Sequence, residues 1–220
     1  MSRIAVVGGH GHVARHLLVE LRRSAHDAVA LVRREEYRAD LESRGAEVRL
    51  LDIEQAGVPE FAEAFAGCGA VVFAAGGGPD GNRERKRTVD LEGSLKSAEA
   101  ARLAGIDRFV QISAIGVDDP LPEDTDEVWR AYVEAKRDAD AALRDTDLSW
   151  TILRPGRLTD EPATGRVTLG PDVARGEVTR ADVAAVVAAV IDVPTSYGKQ
   201  WNLVGGDTPV ADAVRTTSVQ

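Results

Sequence analysis

In the segment AYVEAKRDAD, residues 131–140, a tyrosine and a lysine stand four positions apart, Tyr132 and Lys136. A phenol with an ordinary pKa of about 10 is a poor acid or base at neutral pH. A neighbouring ammonium favours the phenolate and brings the group toward the range that general acid–base chemistry needs. On a helix, positions i and i+4 share one face, so the spacing predicts that the two side chains lie together. The same spacing also fits two residues on a wetted helix surface. Ser113, in RFVQISAIG, adds a hydroxyl that could orient a carbonyl oxygen. Whether the three meet depends on the elements that carry them.

A second group of residues suits phosphate. In VVGGHGHVA, Gly8, Gly11 and Ala14 fit the spacing G-x-x-G-x-x-[GA], with Gly9, His12 and Val13 in the same turn and helix start. Such a loop gives positive-φ positions, close backbone approach to a pyrophosphate, and a helix N-terminus aimed at the anion. Its alternative is a tight strand–helix turn with no ligand. Near the end of the second predicted strand stand Arg33 and Arg34, where an NAD site usually has a carboxylate. Arginine there grips a 2′-phosphate that a carboxylate would repel, which favours NADP over NAD. Two solvated arginines at a strand end are the alternative. Asp52, followed by Ile53, closes the third predicted strand; its carboxylate suits either the adenine amino group or a helix cap.

The elements follow from punctuation and period. RIAVVGG, AVALV, EVRLLDI, AVVFAAGG, RFVQISAIG and LSWTILRPG are short apolar runs that read as strands. Between them lie segments with helical spacing, including EYRADLESRG, PEFAEAFAG, a long helix from about Glu84 to Ala104, and one ending near Leu143. Six strand–helix alternations with strands apolar on both faces predict a doubly wound parallel sheet, an α/β fold of Rossmann type. In such a sheet the ligand crevice lies outside the strands' C-terminal ends, which is where Ser113 falls. After Gly156 the pattern loosens into GRVTLG, the apolar helix TRADVAAVVAAVID with Thr179 as N-cap and Asp182 at its third position, and QWNLVGG. The reading is one domain over residues 1–220, with 157–220 forming a small cap on the substrate side.

Composition sets limits. The chain has 220 residues with a net charge of −9 and one cysteine, Cys68. The acidic balance gives no general attraction to nucleic acid or anionic membranes. No apolar run approaches the roughly 20 residues of a membrane span. The single cysteine and the absence of a signal-peptide pattern fit a reducing cytoplasm. His12 and His16 lack a third metal ligand at a recognisable spacing, so no metal is expected. The run RERKR at 83–87 reads as a solvated helix start, with a grip on the cofactor phosphate as the alternative. Trp129 fits either packing or a pocket wall.

VVGGHGHVA, the arginine after the second strand, VVFAAGG, FVQISAIG, YVEAK and LRPG together resemble the short-chain dehydrogenase/reductase superfamily. More narrowly, they resemble its small atypical NAD(P)H-binding, epimerase-like members, related to the NmrA-like group. The likeness covers nearly the whole chain and continues through RLTDEPATGRV, VTRADVAAVV and GDTP. The resemblance implies that the glycine loop (Gly8, Gly9, Gly11, His12 and Val13, with Ala14) holds the dinucleotide. It implies that Arg33, beside Arg34, contacts the 2′-phosphate, that Asp52 and Ile53 meet the adenine, and that Ala74, Ala75 and Gly76 line the cofactor. Ser113, Tyr132 and Lys136 match the catalytic triad, with Lys136 also on the nicotinamide ribose, and Pro155 and Gly156 flank the nicotinamide amide. Asp90 stands where the superfamily usually has asparagine; an ionised carboxylate accepts hydrogen bonds but cannot donate one. The implied activity is NADP-dependent oxidoreductase or epimerase-like hydride transfer on a small carbonyl or alcohol, by a monomer or homodimer. A non-enzymatic NADP(H)-binding redox sensor and a flavin- or biliverdin-type reductase are the alternatives.

Overall fold

The first strand already dictates two layers of helix. In β1 (Arg3–Val7), Ile4 and Val6 enter one apolar core while Ala5 and Val7 enter another, as the period of two requires. Helices must therefore cover both faces, and the chain supplies them in alternation: α1 (His12–Arg23), β2 (Asp27–Val32), α2 (Arg38–Ser43), β3 (Ala46–Leu50), α3 (Val58–Ala64) and β4 (Ala70–Phe73). Then follow α4 (Arg83–Arg85), a π-helical turn at Lys86–Leu91, α5 (Glu92–Leu103), β5 (Arg108–Ile112), α6 (Glu127–Arg144) and β6 (Ser149–Pro155). The computed structural model describes residues 2–78 and 81–217.

One sheet of nine strands holds these elements together. Its order is β11-β8-β10-β6-β5-β4-β1-β2-β3, and β1 to β6 are all parallel, with Ala5 opposite Val29 on one side and Val71 on the other. This is a doubly wound, Rossmann-type α/β sheet. The chain winds outward in one direction from β1 and in the other from β4, so the crevice opens between those two strands. α1 and α7 pack on one face, α3, α5 and α6 on the other. The second face takes the aromatic load: Phe61, Phe65, Phe73 and Phe109 are all fully buried. Each contributes about 1.5–3 kcal/mol by leaving water, and Phe61 meets Phe65 edge-on at 6.1 Å.

The tail contains β7 (Arg157–Thr159), β8 (Arg166–Gly170), β9 (Glu177–Thr179), α7 (Arg180–Ile191), β10 (Lys199–Gly205), β11 (Thr208–Pro209) and α8 (Val210–Thr217). Most of it prolongs the main sheet. β10 lies parallel to β6, with the buried Trp201 opposite Leu153, and β8 runs antiparallel to β10. Only β7 and β9 stand apart, as a two-stranded parallel ribbon springing from the C-terminal end of β6. Thr179 caps α7 by accepting from the Asp182 N–H at 3.0 Å, while Asp182 accepts from the Thr179 hydroxyl at 2.9 Å.

One element differs from its expectation. The long helix from Glu84 to Ala104 is broken by the π turn at Lys86–Leu91. Apolar spacing alone does not separate an α turn from one that holds an extra residue, and π turns concentrate at functional sites.

Candidate active site

Two adjoining cavities lie at the C-terminal ends of the strands, and Gly76 borders both. The first, of about 240 Å³, is lined by Gly8, Gly11, Arg33, Asp52, Ile53 and Ala74–Gly76, among others. Gly8 ends β1 at φ +79°, and a Cβ there would come 2.7 Å from the Ala75 Cα. The loop therefore exposes backbone where a side chain would close the crevice. Gly11 forms the N-cap of α1. Gly9 does not face the cavity; it packs against Ala30 and donates to the Leu31 carbonyl at 3.0 Å. The His12 side chain is exposed and Val13 packs on the core, so these two residues offer only their backbone N–H groups at the helix start.

Arg33 and Arg34 divide. Arg33 lines the cavity, whereas Arg34 donates to Glu36 at 3.0 Å and its guanidinium lies 5.9 Å from the Tyr37 ring centre. The expected second phosphate contact is therefore turned away, because successive residues leaving a strand point in opposite directions. Asp52 lines the cavity and also accepts from the Glu54 N–H at 3.0 Å, so it serves as a turn cap. Sequence reasoning missed His10, whose ring stacks on Tyr37 at 3.7 Å in the same wall. No local spacing links these two, which meet only when β2 lies beside β1.

The second cavity, of about 940 Å³, is bordered by Asp90, Tyr132, Pro155 and Gly156, together with Lys86 and Trp129. Asp126 fixes the start of α6 by accepting from the N–H groups of Val128 and Trp129 at 3.0 and 2.9 Å. One turn later Tyr132 reaches the cavity, its ring 5.2 Å from that of Trp129. Lys136 follows on the same stripe but is buried beneath the wall. Its ammonium pairs with Asp90 at 3.1 Å and donates to the Ile112 carbonyl at 3.2 Å. Asp90, fully buried, also accepts from the Gly77 N–H at 2.7 Å. The π turn that carries Asp90 thus joins the glycine strand end to α6.

These charges set the protonation states. Burial pushes the Lys136 ammonium down, but Asp90, with help from Tyr132, more than reverses this, and the net shift is upward. Burial also pushes the Tyr132 phenol up. Lys136 opposes that rise, while Asp90 and Asp140 add to it, and the phenol stays above its ordinary value. The lysine thus acts in the expected direction, but burial outweighs it and the net shift is upward.

Ser113 also differs from its expectation. Along β5, Phe109, Gln111 and Ser113 share a face directed at the α5–α6 layer. The Ser113 hydroxyl donates to Asp140 at 2.8 Å and does not line the second cavity, whose wall there is Ala114 and Ile115. Asp140, one turn beyond Lys136, also accepts from Gln111 at 2.6 Å and Arg154 at 2.8 Å. Burial raises its carboxyl despite Arg154 and these donors. The group is a buried bracket between β5, β6 and α6. Among the described residues, no cluster of His, Cys, Asp or Glu is arranged to hold a metal ion, and no helix is long and apolar enough to cross a membrane.

The backbone-lined first cavity, the N-terminus of α1 and Arg33 suit a dinucleotide phosphate, and comparison with known proteins agrees. A family profile described as NAD(P)H-binding matches residues 8–194. YhfK of Bacillus subtilis (strain 168), named an uncharacterized sugar epimerase, is 38% identical over 215 residues, covering 97% of this chain and 99% of that protein. A solved structure from Bacillus halodurans, provisionally described as an NAD-dependent epimerase/dehydratase, is 39% identical with a TM-score of 0.91 over 98% of this chain and 100% of that one. The oxidoreductase ylbE from Lactococcus lactis is 26% identical with a TM-score of 0.86, over 99% and 97% of the two chains. The chain belongs to the NAD(P)H-binding family, on a Rossmann-type sheet shared with proteins described as epimerases and oxidoreductases.

Proposed function

We propose that this protein is an NADP-dependent oxidoreductase or epimerase-like enzyme that acts on a small carbonyl or alcohol substrate. The observation that carries the reading is that the two cavities adjoin. Gly76 borders both the glycine-loop cavity and the larger space that Tyr132 borders. When bound, the nicotinamide supplies or accepts a hydride at the substrate carbon. Tyr132 gives its phenolic proton to the substrate oxygen, or takes it back in the reverse direction. Lys136 stabilises the phenolate that remains, and Asp90 holds Lys136 in place. Arg33 meets the 2′-phosphate, which sets the preference for NADP. Gly8, Gly11 and the first N–H groups of α1 hold the pyrophosphate, Asp52 and Ile53 border the adenine, and Pro155 and Gly156 flank the nicotinamide. The β7–β9 ribbon and the loop before β9 form the substrate side, as a cap on the one domain. Ser113 supports this site through Asp140 and does not touch the substrate.

The test is NADPH oxidation across a panel of small aldehydes, ketones and keto-sugars, followed by Tyr132→Phe on the best substrate. Loss of about 10²–10⁴ in kcat with little change in NADPH affinity is expected for a positioned general acid. Unchanged turnover sinks the mechanism.

The commitment of the Ser113 hydroxyl to Asp140 favours a second reading. A flavin- or biliverdin-type reductase needs no serine to orient a carbonyl. Flavin or tetrapyrrole reduction by NADPH that survives Tyr132→Phe supports it.

A further inference from the structure

We propose that the substrate carries an anionic group, a carboxylate or a phosphate, and that Lys86 with the arginines of the β7–β9 side holds it in the larger cavity. This rests on the reading of that cavity as the substrate site beside NADP(H).

The charge of the wall runs against the charge of the chain. The protein as a whole carries −9. Yet among the described residues the larger cavity is lined by Lys86, Arg157, Arg175 and Arg180, against only Asp90 and Asp126. Both carboxylates are already engaged, Asp90 with Lys136 and the Gly77 N–H, Asp126 with the first N–H groups of α6. A low-dielectric cleft with an excess of one charge concentrates ligands of the opposite charge.

Lys86 is the sharpest element of this wall. It is only 6% exposed, and its ammonium donates to the Gly78 carbonyl. Among the described residues, no carboxylate pairs with it. A buried ammonium without a counter-charge is costly, and an incoming anion removes that cost. The neighbouring residues of the same run go elsewhere. Arg85 borders the cofactor cavity, while Arg83 and Arg87 pair with Glu127, Glu84 and Glu92 on the surface. The π turn, which begins at Lys86, sets this one lysine inward.

The arginines opposite are held loosely. Arg157 pairs with Glu177, Arg175 with Asp119 at 2.6 Å and Arg180 with Asp160 at 2.9 Å. All three carboxylates are exposed and none lines the cavity. Exposed pairs of this kind contribute little, so an anion in the cavity can share or replace those partners. Arginine's planar fork suits carboxylate and phosphate alike.

The test is calorimetric titration of NADPH-saturated protein with glutarate, inorganic pyrophosphate and the neutral glutaramide, repeated with Lys86→Met and Arg180→Gln. At least one anion is expected to bind tenfold or more tightly than glutaramide. Either substitution should weaken that anion at least tenfold, while NADPH affinity, followed by its fluorescence, stays within twofold. The stronger of glutarate and pyrophosphate identifies the carboxylate or the phosphate. Equal binding of glutarate, pyrophosphate and glutaramide overturns the proposal, as does anion affinity unchanged in both variants. Lys86→Met removes a charge at nearly constant shape, and Arg180→Gln leaves behind only the exposed Asp160 as a lost partner, so one variant remains informative if the other misfolds. Failure of NADPH to bind at all sinks the functional reading by itself; the glutarate–glutaramide comparison on the cofactor-free protein then still decides the charge of the pocket.

Discussion

At Tyr132 burial pushes the phenol up, and three nearby charges pull it in opposite directions. Lys136 draws its pKa down, while burial, Asp90 and Asp140 raise it. Asp90→Asn removes one of the raising charges at almost constant shape and frees the lysine's field. The alkaline transition of Tyr132, read as phenolate absorbance against pH and referred to Tyr132→Phe, is therefore expected to move down in Asp90→Asn. A transition that stays in place would show that Asp90 acts only as a structural partner of Lys136. Arg33 gives a second residue-level outcome. A charge-assisted hydrogen bond to a phosphate is worth about 1.5–3 kcal/mol, so Arg33→Gln should weaken NADPH binding about tenfold to a hundredfold and leave NADH binding nearly unchanged. Equal loss for both cofactors, in fluorescence titrations, would place the arginine away from the 2′-phosphate.

At the scale of elements, the π turn and the strand end at Gly77 fit one another closely. A Cβ on Gly77 would lie 2.8 Å from the Arg85 carbonyl oxygen and 3.2 Å from an Asp90 oxygen. Overpacking of this kind costs about 1–3 kcal/mol, or a fall in Tm of about 2–4 °C per kcal/mol at this chain length. Gly77→Ala is therefore expected to lower Tm by several degrees, checked by calorimetry, with an unchanged Tm arguing that the loop yields freely. The sequence makes the alternating strands and helices legible because each strand is apolar on both faces and is closed by glycine or charge. It does not show the π turn, since the helical apolar period runs on through it. Nor does it show that RERKR sends Arg85 and Lys86 to two different cavities, because a run of like charges carries no direction. Nor does it show which way the Ser113 hydroxyl turns: the strand end is legible, but the hydroxyl's partner, Asp140, lies 27 residues further on. The ribbon of β7 and β9 is too short to carry a period at all.

For the whole molecule, the bracket of Asp140, Gln111, Ser113 and Arg154 ties the two sides of the site to the sheet and gives stability a pH signature. The Asp140 carboxyl lies above its ordinary value in the folded protein. Its favourable contribution is thus complete below the ordinary carboxylate range and is lost as pH rises through the folded value. Asp140→Asn has no such titration. The stability of the natural protein relative to Asp140→Asn, from urea midpoints, should therefore be greater at pH of about 4 than at about 8. A constant difference would mean that Arg154 and the donors keep the carboxyl at its ordinary value. Across the remaining molecule the sheet passes without a break from β3 to β11, so the strands beside both cavities belong to one frame.

The three tryptophans of the chain are unevenly placed on that frame. Trp201 is buried in β10 and Trp150 is half-buried in β6, but Trp129 is 51% exposed at the wall of the larger cavity, beside Tyr132. The protein thus has a fluorophore of its own at the place proposed for substrate and nicotinamide. Reduced nicotinamide absorbs where tryptophan emits, so binding of NADPH is expected to register as energy transfer, and binding of substrate as a further shift in Trp129 emission. The two halves of the site can be read optically, in one cuvette, with no label attached.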